Sequence, residues 1–419
     1  MKLKIDAAKE YGVVLEGGGA KGAYQIGVWR ALIEAGIRIR GLAGTSVGGL
    51  NAAFICMGDW EKARHCWENL TYSKIMSTDD LTMDKFLKGR LPLGKAWQTT
   101  VAFIKNKGYD VTPLKELIAD NVDGDRIRSW PGDIVVMSFN LDTKKEEEIS
   151  LKDKTDEQIH DFLLATAYMA PVFKTEPLQG AHYIDGGFGD NVPVDALIRR
   201  NYKDLIVIRI YGVGFVRNTK IPDDVHVTEI APHKDLGSIM AFTEENSRKN
   251  IIYGYYSGMR VLYGLKGRIF YFDEEDRGET VYLGKILKMI DKTQKEAIAP
   301  EYLPGGEKRR SWLRHLYETD IPDLARELQL PEDWNYQDLF LGLIEDAAEF
   351  LAISKWNIYT VEGILSAVKK AMELADPATF TKHVKMVKVL TETETLNENG
   401  VIHDSISNDV RQELEGDYT

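Results

Sequence analysis

Twice near the start of the chain, a short apolar run stops at a cluster of glycines and a helical pattern begins directly after it. Val13, Val14 and Leu15 lead into Gly17, Gly18 and Gly19. A pattern with Ile26, Trp29 and Ile33 on one face follows, with Gly36 as its stop. Ile37 to Ala43 then lead into Gly44-Thr45-Ser46-Val47-Gly48-Gly49, and an apolar helix runs on through Met57. A strand that turns straight into a helix buries both elements only by laying helices against a sheet, so the fold class is α/β. Later segments agree: Asp133 to Phe139 reads as a buried strand, Glu146 to Leu151 as a more exposed one and Asp156 to Tyr168 as a helix. Tyr183 and Ile184 enter Asp185-Gly186-Gly187, and Leu205 to Ile210 is β-branched enough for a central strand.

Composition narrows the partners. With 44% apolar and 28% charged residues over 419 positions, the chain is ordinary globular protein of two or three domains. Its 65 acidic against 53 basic residues give a net charge of -12, which on balance repels a nucleic acid backbone. Two cysteines, Cys56 and Cys66, form neither a disulfide framework nor metal-ligand spacing with the eight histidines, and they read as buried thiols in a reducing compartment. The first residues carry charge where a secretory signal needs an apolar core, and no stretch approaches the roughly 18 apolar residues of a membrane span. The expected location is the cytoplasm, with membrane contact only from outside.

Gly17-Gly18-Gly19-Ala20-Lys21-Gly22 fits G-x-G-x-x-G between strand and helix, so a dinucleotide site is the first reading to test. It requires a carboxylate about 20 positions on, and Ile37 to Ala43 contains none. A P-loop fails as well, because Lys21 precedes its glycine and lacks the following Ser or Thr. What remains is a tight turn whose unpaired N–H groups face any anion placed there.

Gly44-Thr45-Ser46-Val47-Gly48 is G-x-S-x-G in the setting of a nucleophile elbow, a sharp strand-to-helix turn that holds the serine hydroxyl out at a strand end. The N–H of Val47 then faces the same reacting carbonyl. A Ser-His-Asp triad in the α/β-hydrolase order is disfavoured, since Ser46 comes too early in the chain. His65, His160 and His182 precede the candidate acid, and His226 and His233 lie in polar segments; all five read as surface or structural. Asp185, ending a short apolar strand before Gly186 and Gly187, is the remaining base, or else an aspartate that caps a turn.

Together these blocks resemble the patatin-like phospholipases, serine acyl hydrolases that use a Ser-Asp dyad. GGGAKG at 17–22, GTSVG at 44–48 and DGG at 185–187 stand in the family's order, and ATAYMAPVF at 165–173 and DNVPVDALI at 190–198 resemble its flanking segments. The resemblance implies a three-layer α/β/α domain with a central, mostly parallel sheet. It makes Ser46 the nucleophile, Asp185 its base, and Gly17, Gly18 and Gly19 with Val47 the oxyanion hole, while Lys21, Gly22, Gly44, Gly48, Gly186 and Gly187 support the motifs. Lys21 stands where many members carry arginine. The implied activity is hydrolysis of fatty acyl esters of phospholipids or lysophospholipids, without metal or organic cofactor.

The expected organisation is a lead at 1–10, the acyl hydrolase domain at 11–212 with 71–110 as a lid or interface insertion, a mainly helical region at 213–390 and an acidic mobile tail at 391–419. Amphipathic stretches near 337–353 and 360–375 suggest the helices. From Lys85 to Lys107 there are six basic and no acidic residues among apolar side chains that include Trp97, a pattern that suits an anionic lipid surface as well as a helix packed on the core. Three rival readings are a silent binding or scaffold protein on this fold, an acyltransferase using the same serine, and a nucleotide-binding enzyme.

Overall fold

The structure, a computed structural model, describes residues 1–87, 90, 108–169, 172–297, 314–393 and 401–403. The chain divides into two units, Lys2–Leu262 and Tyr263–Thr419 with Met1. The expected boundary at 212/213 therefore differs from the observed one, because a further strand and a long helix after residue 213 belong to the first unit.

In the first unit the elements run β1 (Glu10–Leu15), α1 (Ala23–Glu34), β2 (Arg38–Thr45), α2 (Val47–Met57), α3 (Trp60–Glu68), α4 (Asp80–Leu87), α5 (Thr112–Asn121) and α6 (Gly124–Ser129). There follow β3 (Asp133–Asn140), β4 (Lys145–Ser150), α7 (Asp156–Thr166), β5 (Tyr183–Asp185), α8 (Val194–Ile198), β6 (Asp204–Ile208), β7 (His226–Ile230) and α9 (Glu244–Tyr263). Six strands lie in the order β4-β3-β2-β1-β6-β7, and β5 pairs with β3 to make the seventh. β1, β2, β3, β6 and β7 are parallel, while β4 and β5 run antiparallel to β3. β1 sits at the centre, and five of its six residues are buried, as a strand covered on both faces must be.

Helices cover both faces. α2 and α7 pack on one, and on the other Ala196 and Leu197 of α8 meet Val14, Ala43, Val135 and Val207 of four strands. α1 ends before Gly36, which takes a left-handed φ of 69°, as the sequence suggests; Ile33, however, faces solvent, not the core with Ile26 and Trp29.

The second unit is mainly helical: α10 (Glu279–Ala297), α11 (Ile321–Glu327), α12 (Tyr336–Phe350), α13 (Val361–Leu374) and α14 (Lys382–Thr393), with three short strands, Tyr271–Phe272, Ile358–Tyr359 and Val401–His403. Phe340, Leu343, Ile344, Ile364, Leu365, Val387 and Leu390 build its core. The buried Glu345 carboxylate accepts the N–H groups of Arg268, Ile269 and Phe270 at 2.7, 2.9 and 2.9 Å, which fixes the chain entering the unit. Most of the basic stretch 85–107 and nearly all of the tail 391–419 lie outside the described residues.

Candidate active site

Ser46 stands between the last residue of β2 and the first of α2, with φ 55° and ψ -128°. An L-residue pays on the order of 1–3 kcal/mol for such a backbone, so it persists only where its surroundings enforce it. Here the glycines two residues either side do so. A Cβ on Gly44 would lie 2.3 Å from the Gly48 carbonyl oxygen, and one on Gly48 would lie 2.2 Å from that of Leu15. Thr166, at the end of α7, accepts the Ser46 N–H at 2.9 Å and donates to the Met137 carbonyl. Thr45 is anchored on the far side by donating to the Asp190 carbonyl at 2.8 Å.

Asp185 arrives on β5. Its N–H donates to the Tyr168 carbonyl at 2.8 Å, and its Oδ1 accepts the Gly187 N–H at 2.8 Å. The turn-capping role is thus real, but it is not the carboxylate's whole employment, because the Ser46 hydroxyl also hydrogen-bonds it. Protein surrounds the carboxyl group although the residue keeps part of its surface open. Desolvation pushes its pKa up to about 6, against the two hydrogen bonds, which act to lower it.

The glycine turn lies beside them. The Gly17 N–H is occupied, donating to the Asn191 carbonyl at 3.2 Å, so it departs from the expected set of oxyanion donors. The N–H groups of Gly18, Gly19 and Val47 donate to no acceptor among the described residues. Val47 begins α2, whose positive dipole end therefore lies at Ser46. Lys21 Nζ donates to the Tyr211 carbonyl at 3.1 Å, and the Gly22 carbonyl accepts from Asn51 at 3.0 Å.

Sequence reasoning left out several residues that hold this arrangement. Asn191, buried in the DNVPVDALI segment, donates through Nδ2 to the Gly17 carbonyl at 3.0 Å. Glu16, buried directly before the turn, accepts from Arg209 and from the N–H groups of Ile210 and Tyr211 at 2.6 and 3.0 Å. Asn51 links Trp67, whose indole N–H it accepts at 2.9 Å, to Gln25 at 2.8 Å. A signal existed for two of these: polar Asn51 interrupts the otherwise apolar α2, and Gln25 interrupts the apolar first half of α1.

An apolar cavity of ≈ 80 Å³ adjoins the site, with Ser46 and Gly19 in its wall and Phe54, Trp67, Leu117 and Phe242 among the rest of its lining. Cys66 lines it too, its thiol pushed up to about 11 by burial and so held as an apolar neutral group. No histidine is in the lining. His160 meets the Val122 carbonyl at 3.1 Å, His182 meets Asp142 at 3.0 Å, and burial holds His233 below its ordinary pKa. Among the described residues, no group of three or more His, Cys, Asp or Glu is placed to hold a metal ion, and no helix is long and apolar enough to cross a membrane.

Residues 13–198 match a family model described as patatin-like phospholipase. Comparison with curated proteins gives no match. Among solved structures, VipD from Legionella pneumophila is similar at 16% identity, with 91% of this chain and 90% of that chain covered and a TM-score of 0.38.

Proposed function

Residues 13–198 match the patatin-like phospholipase family, and from that premise we propose that the chain is a serine acyl hydrolase whose nucleophile is Ser46 and whose base is Asp185, acting on fatty acyl esters of phospholipids or lysophospholipids. The observation that carries this reading is the strained Ser46 backbone with its hydroxyl on the Asp185 carboxylate. Strain of this kind is retained where function needs it.

Ser46 Oγ attacks the ester carbonyl carbon as Asp185 takes the hydroxyl proton. A carboxyl pKa near 6 leaves the group ionised at neutral pH, yet basic enough to hold the proton briefly. The tetrahedral oxyanion faces the N–H groups of Gly18, Gly19 and Val47, donors already in place before the charge forms. On collapse, the C–O bond to the alcohol breaks and the leaving oxygen takes the proton from Asp185. Water then attacks the acyl-serine, giving its proton to Asp185 and its oxygen to the fatty acid, and the proton returns to Ser46. The apolar cavity suits the acyl chain, and its lining carries no charged side chain.

A panel of lyso- and diacyl-phospholipids, with free fatty acid and any alternative acyl acceptor quantified, tests this. Release of fatty acid to water supports hydrolysis. Transfer to an added alcohol in place of water identifies a transferase, and no turnover of any member contradicts the proposal.

A further inference from the structure

Large apolar side chains that stand in solvent need a reason when they gather, because contiguous exposed apolar surface marks a contact site. Among the described residues, Phe188, Tyr211, Val213, Phe215, Val216 and Ile221 are such side chains, with Val213 78%, Phe188 67% and Phe215 61% exposed. They fall on two loops, and both are fastened to the turns beside Ser46. Phe188 follows Gly187, whose N–H holds Asp185. The Phe215 N–H donates to the Gly187 carbonyl at 2.7 Å, and the Phe215 carbonyl accepts from Asn191 at 2.6 Å. Gly212 lies against the glycine turn so closely that a Cβ there would be 1.8 Å from the Gly17 carbonyl oxygen.

This loop is held rigidly. Tyr211 takes a left-handed φ of 48°, its N–H bound by Glu16 and its carbonyl by Lys21. The apolar side chains after it are therefore presented from a fixed frame and are not collapsed onto the surface.

We infer that Phe188 and residues 211–216 form an apolar rim that inserts into a lipid surface and hands the acyl ester from it to Ser46. The inference rests on the hydrolase reading and names the physical state of its substrate. A lipid surface is the occupant that fits, for two reasons. The rim is joined by a backbone hydrogen bond to the Gly187 turn and lies at Gly212 against the glycine turn, both beside a cavity suited to an aliphatic chain, so a chain leaving a monolayer passes from one apolar environment to another. Arg217, directly after the rim, is also already matched by Glu146 and Asp195, so contact through residues 211–216 is made by apolar burial and not by attraction to anionic headgroups. Zwitterionic lipid is sufficient, and salt has little effect on binding, since screening acts on charge.

The test uses the full chain carrying Ser46→Ala, so that binding is read without turnover, and phosphatidylcholine vesicles at low and high salt. Changing Val213 and Phe215 together to serine should weaken vesicle binding by about tenfold or more per buried side chain. In the Ser46 protein the same double change should slow hydrolysis of vesicle lipid to a similar degree and leave a short soluble ester within about twofold. Changing both residues to leucine should retain binding, because only apolar character is required. Vesicle binding that is unchanged by the serine changes, lost equally in the leucine protein, or absent from the Ser46→Ala chain overturns the rim. A dimer that dissociates on serine substitution while vesicle binding persists assigns the surface to a second copy and overturns it as well. Failure of the Ser46 protein to cleave the soluble ester would instead count against the hydrolase reading, with the vesicle result standing apart from it.

Discussion

The Ser46 hydroxyl meets the Asp185 carboxylate because the strands that deliver them dock on neighbouring residues of β3. Thr45, the residue before Ser46, pairs with Met137, and Asp185 pairs with Ser138. β2 and β5 end against each other along the same edge of β3, one strand parallel to it and the other antiparallel. The Ser46–Asp185 geometry is thus set by strand register, and the two residues need no loop to bring them together.

Replacing Asp185 by asparagine separates catalysis from stability. Loss of the base should lower turnover by roughly 100 to 10,000-fold. The folded pKa of about 6 lies above the ordinary value of 3.8, so the protonated form is the one the fold favours. That contribution is present below about pH 4 and is lost as pH rises through about 6, where the ionised group then costs on the order of 1–3 kcal/mol. Asp185→Asn should therefore melt higher than wild type at pH 8 and close to it at pH 4. A lower melting temperature at pH 8 would show that the carboxylate is held for stability.

The same shift predicts an acid limb in kcat/KM with a midpoint near pH 6. Asp190 complicates the assignment: buried, and near Glu146 and Asp195, it is also pushed up to about 6. Its Oδ1 accepts the N–H groups of Val192 and Arg217, a role an amide oxygen retains. The limb should persist in Asp190→Asn; its disappearance there would move the controlling group from Asp185 to Asp190.

Asn191 should act as a positioning residue. Asn191→Ala removes the donor to the Gly17 carbonyl and leaves a buried acceptor unpaired, at a cost of about 1–3 kcal/mol in stability. A small shift of the oxyanion donors should lower kcat by roughly 10 to 100-fold while KM changes little. A change in stability with kcat intact would make the residue structural only.

Leu117 should limit acyl length. It lines the cavity and is only partly buried, so Leu117→Trp fills the space without breaking a polar contact. Discrimination against long acyl chains should rise about tenfold or more, with short esters little affected. Equal effects on both would place the chain elsewhere.

Much of this arrangement was legible in the sequence. The glycine turns and the strands before them announce themselves because both require special residues locally, and Ser46 and Asp185 follow from their places at strand ends. What was not legible depended on partners distant in the chain. The Gly17 N–H is occupied by Asn191, a pairing no local pattern reveals. β7 falls where a mainly helical region was expected because, as an edge strand, only Ile230 of its five residues is buried, so its alternation carries little apolar signal. The first unit accordingly runs past the expected boundary at 212/213, to Leu262. Ile33 fits the helical period of α1 yet faces solvent, since periodicity gives a face and not what covers it.

Intact-protein and peptide mass spectrometry after reaction with a fluorophosphonate tests the central claim most directly. A serine whose proton is taken by Asp185 and whose adduct oxygen meets the Gly18, Gly19 and Val47 donors should be phosphonylated selectively. The account predicts one adduct, on Ser46, lost in Ser46→Ala together with all ester hydrolysis and strongly slowed in Asp185→Asn. An adduct on another residue, or turnover by Ser46→Ala at the level of the unaltered protein, would contradict it.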